Sequence, residues 1–472
     1  MKQMRKKERE VLHDIVIESV AAEGKAIAKI NGKVLFVPFA IPGDVVDVEI
    51  HRKKSGWMEG VVKQITAPSP DRIEPFCSYY GTCGGCKWQP LPYPLQLKFK
   101  QQQVEDQLKR IGSLELPEIL PIIGSDNTKY YRNKLEFTFS NKRWIESLSE
   151  AENIPADERQ GMGFHISGMF DKVLDIHKCY LQESPSDEIR NHIRKFALEN
   201  KYDFFDLREQ TGFLRTLIIR TATTGETMVI VVFAYDDKEK INKLMSSLTE
   251  TFNGIKSLNY VINGKRNDTI SDLPVINFAG EDAIYEKMEN LRFRIGPKSF
   301  YQTNSDQAYK LYSVVREFAG LTGNETVYDL YTGTGTIALF LSAGAAKVVG
   351  VEYVPEAIED AFSNASVNNI DNCSFYAGDM KDVLSSSFIA ENGKPDVIVL
   401  DPPRSGIHPD VAKVIIEARP SKIVYVSCNP ATQARDISLM KDYYSVTAVQ
   451  PVDMFPHTHH LENVALLELK NN

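Results

Sequence analysis

The sequence predicts a multidomain α/β protein in three parts: a small OB-like β-barrel over residues 1–67, an α+β central domain over 68–290, and a doubly wound, Rossmann-like domain over 291–472. Three observations carry this reading. A chain of 472 residues exceeds what one hydrophobic core holds together. Short alternating apolar runs fill positions 11–66, and a regular β/α alternation begins near Leu291.

In the first part the runs Ile15-Val16-Ile17, Val34 to Val37, Val45 to Ile50 and Val61-Val62 are divided by Gly24, Asn31-Gly32 and Pro42-Gly43-Asp44. Short strands in so small a span suit a closed barrel, an architecture often used to bind single-stranded nucleic acid. Net charge supports the assignment: the chain is −8, yet residues 1–66 carry 12 Lys+Arg against 9 Asp+Glu. A locally basic module on an acidic body fits a protein that touches nucleic acid at a defined place. The basic stretch Met1–Lys7 is not followed by an apolar core, so no signal peptide is read, and no apolar run approaches a membrane span. A cytoplasmic monomer is expected.

Ala67-Pro68-Ser69-Pro70 reads as a linker. It leads to Cys77, Cys83 and Cys86, bunched as C-x5-C-x2-C, and then to a polar helix from about Pro94 to Arg110. That helix carries little apolar surface after Leu97, so it is expected to bridge domains and dock on the catalytic one. In the central domain, strands are expected at Leu135–Phe139 and Met228–Phe233, and helices at Asp187–Glu199 and Lys238–Leu248. Tyr130-Tyr131-Arg132-Asn133-Lys134 interleaves aromatic and basic side chains, as nucleic-acid surfaces often do.

The last part reads as strands at Thr326–Leu330, Lys347–Glu352, Ser374–Ala377, Asp396–Leu400 and Lys422–Ser427, closed by an antiparallel pair, Tyr444–Gln450 and Asn463–Leu469. Ligands in such sheets sit beyond the C-terminal strand edges. Gly333 and Gly335 follow the first strand, where backbone must approach a ligand closely. Acids end the next strands: Glu352, placed for a ribose diol; Asp379, suited to an adenine edge; and Asp401. This arrangement fits S-adenosylmethionine better than a dinucleotide.

Asp401-Pro402-Pro403-Arg404 resembles the loop of enzymes that methylate exocyclic amines, but Arg404 stands where an aromatic would stack on the base. Cys428 then needs a role. Carbon 5 of uracil is a weak nucleophile; a thiolate adding to C6 makes it an enolate carbon that can take a methyl group. A base must afterwards remove the C5 proton. Glu462 is the candidate, with His457, His459 and His460 as alternatives.

Phe300-Tyr301-Gln302-Thr303-Asn304, Asp329 to Gly335, Asp401-Pro402-Pro403-Arg404, Ser427-Cys428-Asn429-Pro430 and Asp453 to Glu462 resemble, in order, the signatures of S-adenosylmethionine-dependent RNA 5-methyluridine methyltransferases. The resemblance implies a class I methyltransferase domain, Cys428 as nucleophile, Glu462 as base, and cofactor contacts from Gln302, Tyr331, Thr336, Glu352, Asp379 and Asp401. The N-terminal barrel resembles the RNA-binding TRAM module. Spacing alone leaves zinc and iron–sulfur both open for the cysteines. Cys77, Cys83, Cys86 and the later Cys179 resemble the [4Fe-4S] pattern of the family's ribosomal-RNA branch. The expected partner is therefore RNA, 23S ribosomal RNA ahead of a tRNA T-loop uridine, since the tRNA branch generally resembles only the later parts. The rival classes are an amine methyltransferase and a non-catalytic RNA-binding or assembly factor.

Overall fold

The computed structural model describes residues 9–470 apart from 148, 150–152, 156 and 157; the basic Met1–Lys7 segment lies outside the described residues. Strands β1 (Val11–Val16), β2 (Ser19–Val20), β3 (Ala26–Ile30), β4 (Lys33–Val37), β5 (Val45–Lys53) and β6 (Trp57–Ala67) form one sheet in the order β1-β5-β6-β4-β3-β2. Its two edge strands are consecutive in the chain, joined only by Ile17 and Glu18, so the sheet curls round on itself. Alternation along β5 turns Val46, Val48 and Ile50 inward onto Ala26, Ala28, Leu35 and Val37. Buried Asp44 fastens the barrel to the linker, accepting from the backbone N–H of Ile41 (2.8 Å) and Ser69 (2.9 Å) and pairing with Arg72.

After the linker comes helix α1 (Tyr93–Gly112), followed by β7 (Lys134–Ser140), β8 (Gly161–Ile166), β9 (Met169–Asp175), β10 (Leu214–Thr221), β11 (Thr227–Phe233), β12 (Ile255–Ile262) and β13 (Val275–Gly280). These strands make a seven-stranded sheet in the order β13-β12-β11-β10-β7-β8-β9, with helices Ser186–Glu199 and Lys238–Thr251 packed into its apolar core. A hairpin of β14 (Ile284–Met288) and β15 (Leu291–Ile295) leads out of it. The last sheet has β16 (Thr326–Leu330), β17 (Lys347–Glu352), β18 (Cys373–Ala377), β19 (Val397–Leu400), β20 (Lys422–Ser427), β21 (Tyr444–Val452) and β22 (Glu462–Leu469) in the order β18-β17-β16-β19-β20-β22-β21. The first five are parallel, and β22 enters antiparallel between β20 and β21. The order reverses between β16 and β19, which opens the crevice of a doubly wound sheet.

Helix α1 does not stay with the sheet that follows it. Val104 and Leu108 pack against Ala434, Val449 and Leu461 of the C-terminal domain. Lys100 is fully buried; its Nζ donates to Asp453 Oδ1 at 2.6 Å and to the Phe455 carbonyl at 3.1 Å, while the Tyr93 hydroxyl donates to Asp453 Oδ2 at 2.8 Å. Gln96 accepts from the His457 N–H at 2.8 Å, and the Lys87 and Trp88 amides donate to the His457 carbonyl. From the other side, Gln307 and Asn304 side chains donate to the carbonyls of Asp453 and Met454. The loop from Asp453 to Leu461 is thereby clamped from two sides. Among the described residues no helix is long and apolar enough to cross a membrane.

Burial lowers the Lys100 ammonium pKa and the Asp453 charge opposes that shift, so the pair is stable only as a pair. Lys100→Met is expected to destabilise the protein by about 3–5 kcal/mol, because it strands a buried carboxylate. Lys100→Met with Asp453→Leu should recover most of that loss in urea unfolding; a single variant with wild-type stability would contradict the clamp.

Candidate active site

The sheet register builds the centre of the site. Strand β20 pairs with β22 from Lys422↔Glu468 to Ser427↔Asn463. The ladder stops one residue short of both Cys428 and Glu462, where β20 gives way to helix Pro430–Met440. Asn429 caps that helix, its side chain accepting from the Ala431 N–H at 3.2 Å, and its Nδ2 donates to the Arg404 carbonyl at 3.1 Å. Asp401 follows the last residue of β19, beside Leu330 of β16. One cleft of about 960 Å³ unites Cys428, Glu462, Asp401 and Arg404 with Gln302, Tyr331, Thr336 and Glu352. That volume is at the upper end for a small-molecule pocket and gives room for a cofactor beside a nucleobase.

At the cofactor end, the chain turns sharply after β16: Tyr331, Gly333 and Gly335 have φ of +67°, +54° and +78°. A Cβ on Gly335 would stand 3.0 Å from Ala361 and 3.2 Å from Phe375, so only glycine lets the loop lie this close. Glu352 holds the turn, its two carboxylate oxygens accepting from the N–H groups of Gly333 (3.1 Å) and Val354 (3.0 Å). Buried Gln302 is placed by Asn133, whose Nδ2 donates to its carbonyl at 2.8 Å. Thr336 opens the next helix with its hydroxyl 3.2 Å from that of Thr334. Asp379 stands apart from the cleft lining: its carboxylate caps the short helix Met380–Val383 and faces Lys381 at 3.5 Å.

Burial pushes two of the acids here toward their protonated forms. Burial, then Asp329, raises Asp401 to about 7; burial, then the Asp401 charge, pushes Glu462 well above the usual carboxylate range, with Arg404 opposing. Cys428 is raised to about 11 by burial and then by Glu462, again against Arg404. A positive ligand would reverse all three shifts. S-adenosylmethionine brings a sulfonium charge, so this set of side chains fits it.

Several cleft residues carry no role in the motif reading. Phe300 and Tyr353 are 64% and 68% exposed at the cofactor rim, aromatic surfaces with no other partner role. Phe455 and His460 line the end near Cys428. Of the three histidines, His460 alone lines the cleft; burial and the nearby cation Arg404 lower it to about 4. Arg404 faces both Cys428 and Glu462, and the signal for it was its place in the Asp401-Pro402-Pro403-Arg404 run.

A sequence profile described as tRNA (uracil-5-)-methyltransferase matches residues 223–470, and one for the TRAM domain matches 3–63. The chain belongs to this methyltransferase family. It is an S-adenosylmethionine-dependent RNA (uracil-5-)-methyltransferase. An uncharacterised RNA methyltransferase of Bacteroides thetaiotaomicron is 59% identical over 454 residues, 96% of this chain and 100% of the relative. One from Halalkalibacterium halodurans is 37% identical over 463 residues, 97% of each chain. Among solved structures, the Pyrococcus abyssi tRNA (uracil-54, C5)-methyltransferase in complex with S-adenosyl-L-homocysteine matches with a TM-score of 0.75 and 30% identity, covering 96% of this chain and 99% of that one.

Two expectations are corrected. The ribosomal-RNA branch is not supported: an enzyme whose structure follows nearly this whole chain, barrel and central region included, is a tRNA enzyme. The [4Fe-4S] expectation is not supported either. Cys77, Cys83, Cys86 and Cys179 line one cavity of about 200 Å³, but among the described residues no group of three or more His, Cys, Asp or Glu is arranged to hold a metal ion. The cavity is walled by Phe76, Tyr79, Tyr80, Phe164 and Tyr180, and burial pushes Cys86 to about 12 and Cys179 to about 11. In this fold the four surround a largely apolar space.

The raised Cys428 thiol has a direct readout. Its alkylation by iodoacetamide in the free enzyme should climb about tenfold per pH unit between pH 7.5 and 9.5, because only the thiolate reacts. A plateau reached by pH 8, read by mass spectrometry of the Cys428 peptide, would contradict the assignment.

Proposed function

We propose that this enzyme methylates C5 of a uridine in tRNA, with Cys428 as nucleophile and Glu462 as general base. The observation that carries the proposal is that Cys428 and Glu462, each one residue beyond the end of the β20–β22 ladder, line one cleft. The tRNA assignment is supported by the likeness to the Pyrococcus abyssi enzyme.

The cofactor supplies an electrophilic methyl group; Gln302, Tyr331, Thr336 and Glu352 are the residues that would hold it. The target uridine must leave its stack to reach the cleft floor. The charge of a bound sulfonium favours the ionised forms of Cys428 and Glu462, whose protons leave to solvent. The Cys428 thiolate then bonds through Sγ to C6, and the electron pair of the C5–C6 double bond moves toward O4. Arg404 favours the ionised thiol as that proton leaves. C5 then carries both its own hydrogen and the new methyl. Glu462, ionised at this stage, takes the C5 proton, the double bond re-forms, and Cys428 departs as thiolate.

Glu462→Gln should form the methylated adduct and release it about 10²–10⁴-fold slowly, since only the base is lost. A tRNA transcript incubated with it should run as a protein-linked band on a denaturing gel, and Cys428→Ala should give none. Normal turnover by Glu462→Gln, or methylation of a ribosomal RNA fragment with none of tRNA by the wild type, would overturn the proposal.

A further inference from the structure

The interleaved segment at 130–134 remains outside the cleft, yet the fold connects it to the cleft. The Tyr130 N–H donates to the Tyr180 carbonyl (2.8 Å) and the Arg132 N–H to the Leu181 carbonyl (2.7 Å), which sets two aromatic–basic stretches side by side. The Tyr130 and Tyr180 ring centroids lie 6.2 Å apart. Lys178 Nζ sits 5.3 Å from the Tyr130 ring and pairs with Asp187 Oδ2 at 3.1 Å, while Lys129 Nζ sits 4.2 Å from the Phe76 ring and 5.7 Å from Tyr180. Lys129 is exposed and has no carboxylate within 4 Å among the described residues. At the cleft end, the Arg132 guanidinium lies 5.1 Å from the ring of Phe455, which lines the cleft with Cys428. Arg132 Nε is buried without a hydrogen-bond partner. Lys129, Tyr130, Lys178 and Arg132 thus form a continuous strip of cations and partly exposed rings leading to the catalytic cleft.

We propose that this strip binds the single-stranded RNA flanking the target uridine, with Lys129 on a phosphate, the Tyr130 ring stacked on one neighbouring base, and Arg132 on the phosphate nearest the extruded uridine. The proposal rests on the reading that the cleft receives a uridine of RNA. A flipped nucleotide needs its neighbours held, and aromatic rings alternating with cations hold single strands without reading sequence. Charge decides against a protein partner here: the strip offers cations and π-faces but little aliphatic surface.

The test uses the full-length enzyme and two probes, a tRNA transcript and a twelve-residue oligouridylate. Tyr130→Ala should weaken oligouridylate binding by about fivefold or more, and Tyr130→Phe should restore it, since the ring face is what matters. Lys129→Ala should flatten the dependence of log affinity on log salt by about 0.7. In both variants S-adenosylhomocysteine binding and the single-turnover rate at saturating tRNA should stay at wild-type values while KM rises. Absence of oligouridylate binding by the wild type, or unchanged affinity and salt slope in Tyr130→Ala and Lys129→Ala, would overturn the strip. Wild-type failure to methylate tRNA, with the oligouridylate effects intact, would overturn the substrate assignment and leave the strip standing.

Discussion

The buried pairing of Lys100 with Asp453 is the constraint on which the rest of the site depends. It joins a helix from early in the chain to a loop near its end, with both side chains fully removed from solvent. Charges so buried must meet each other, and that requirement fixes where the loop from Asp453 to Leu461 can lie. Phe455, His460 and Glu462 follow from it. The barrel joins the same assembly: Trp88 Nε1 donates to the Gly24 carbonyl at 3.0 Å, and Gly24 packs against the His459 side chain. The barrel, the bridging helix and the Asp453–Leu461 loop are therefore joined by direct contacts.

Burial sets the electrostatics of the cleft. It raises Asp401, Glu462 and Cys428, and Asp329 beneath them, so each is shifted toward its neutral form. A sulfonium entering beside Asp401 would favour the ionised forms, which links thiol activation to cofactor binding by charge alone. Arg404 contributes in the same sense from the RNA side of the cleft.

Much of the catalytic domain was legible because its strands are short apolar runs cut off by turn residues. Thr326–Leu330, Lys347–Glu352 and Lys422–Ser427 have the same bounds in the sequence reading and in the fold. Strand ends carry the chemistry in such sheets, so the motifs also indicated which side chains share the cleft. What local pattern does not encode is long-range packing. The four cysteines meet around one cavity, but spacing along the chain says nothing of the aromatic walls around them. The partnership of 130–132 with 180–181 joins segments about fifty residues apart, and no periodicity announces it.

The central claim is that Cys428 bonds covalently to the target base, and a tRNA transcript carrying 5-fluorouridine tests it most directly. Fluorine cannot leave C5 as a cation, so the general base has no proton to take and the adduct cannot resolve. With S-adenosylmethionine present, the wild-type enzyme should convert to a stoichiometric RNA-linked species that survives denaturation. Nuclease and protease digestion should then leave a methylated fluorouridine nucleotide on the peptide containing Cys428. A linkage to any other residue, or complete absence of a linked species while ordinary tRNA is methylated, would contradict the account.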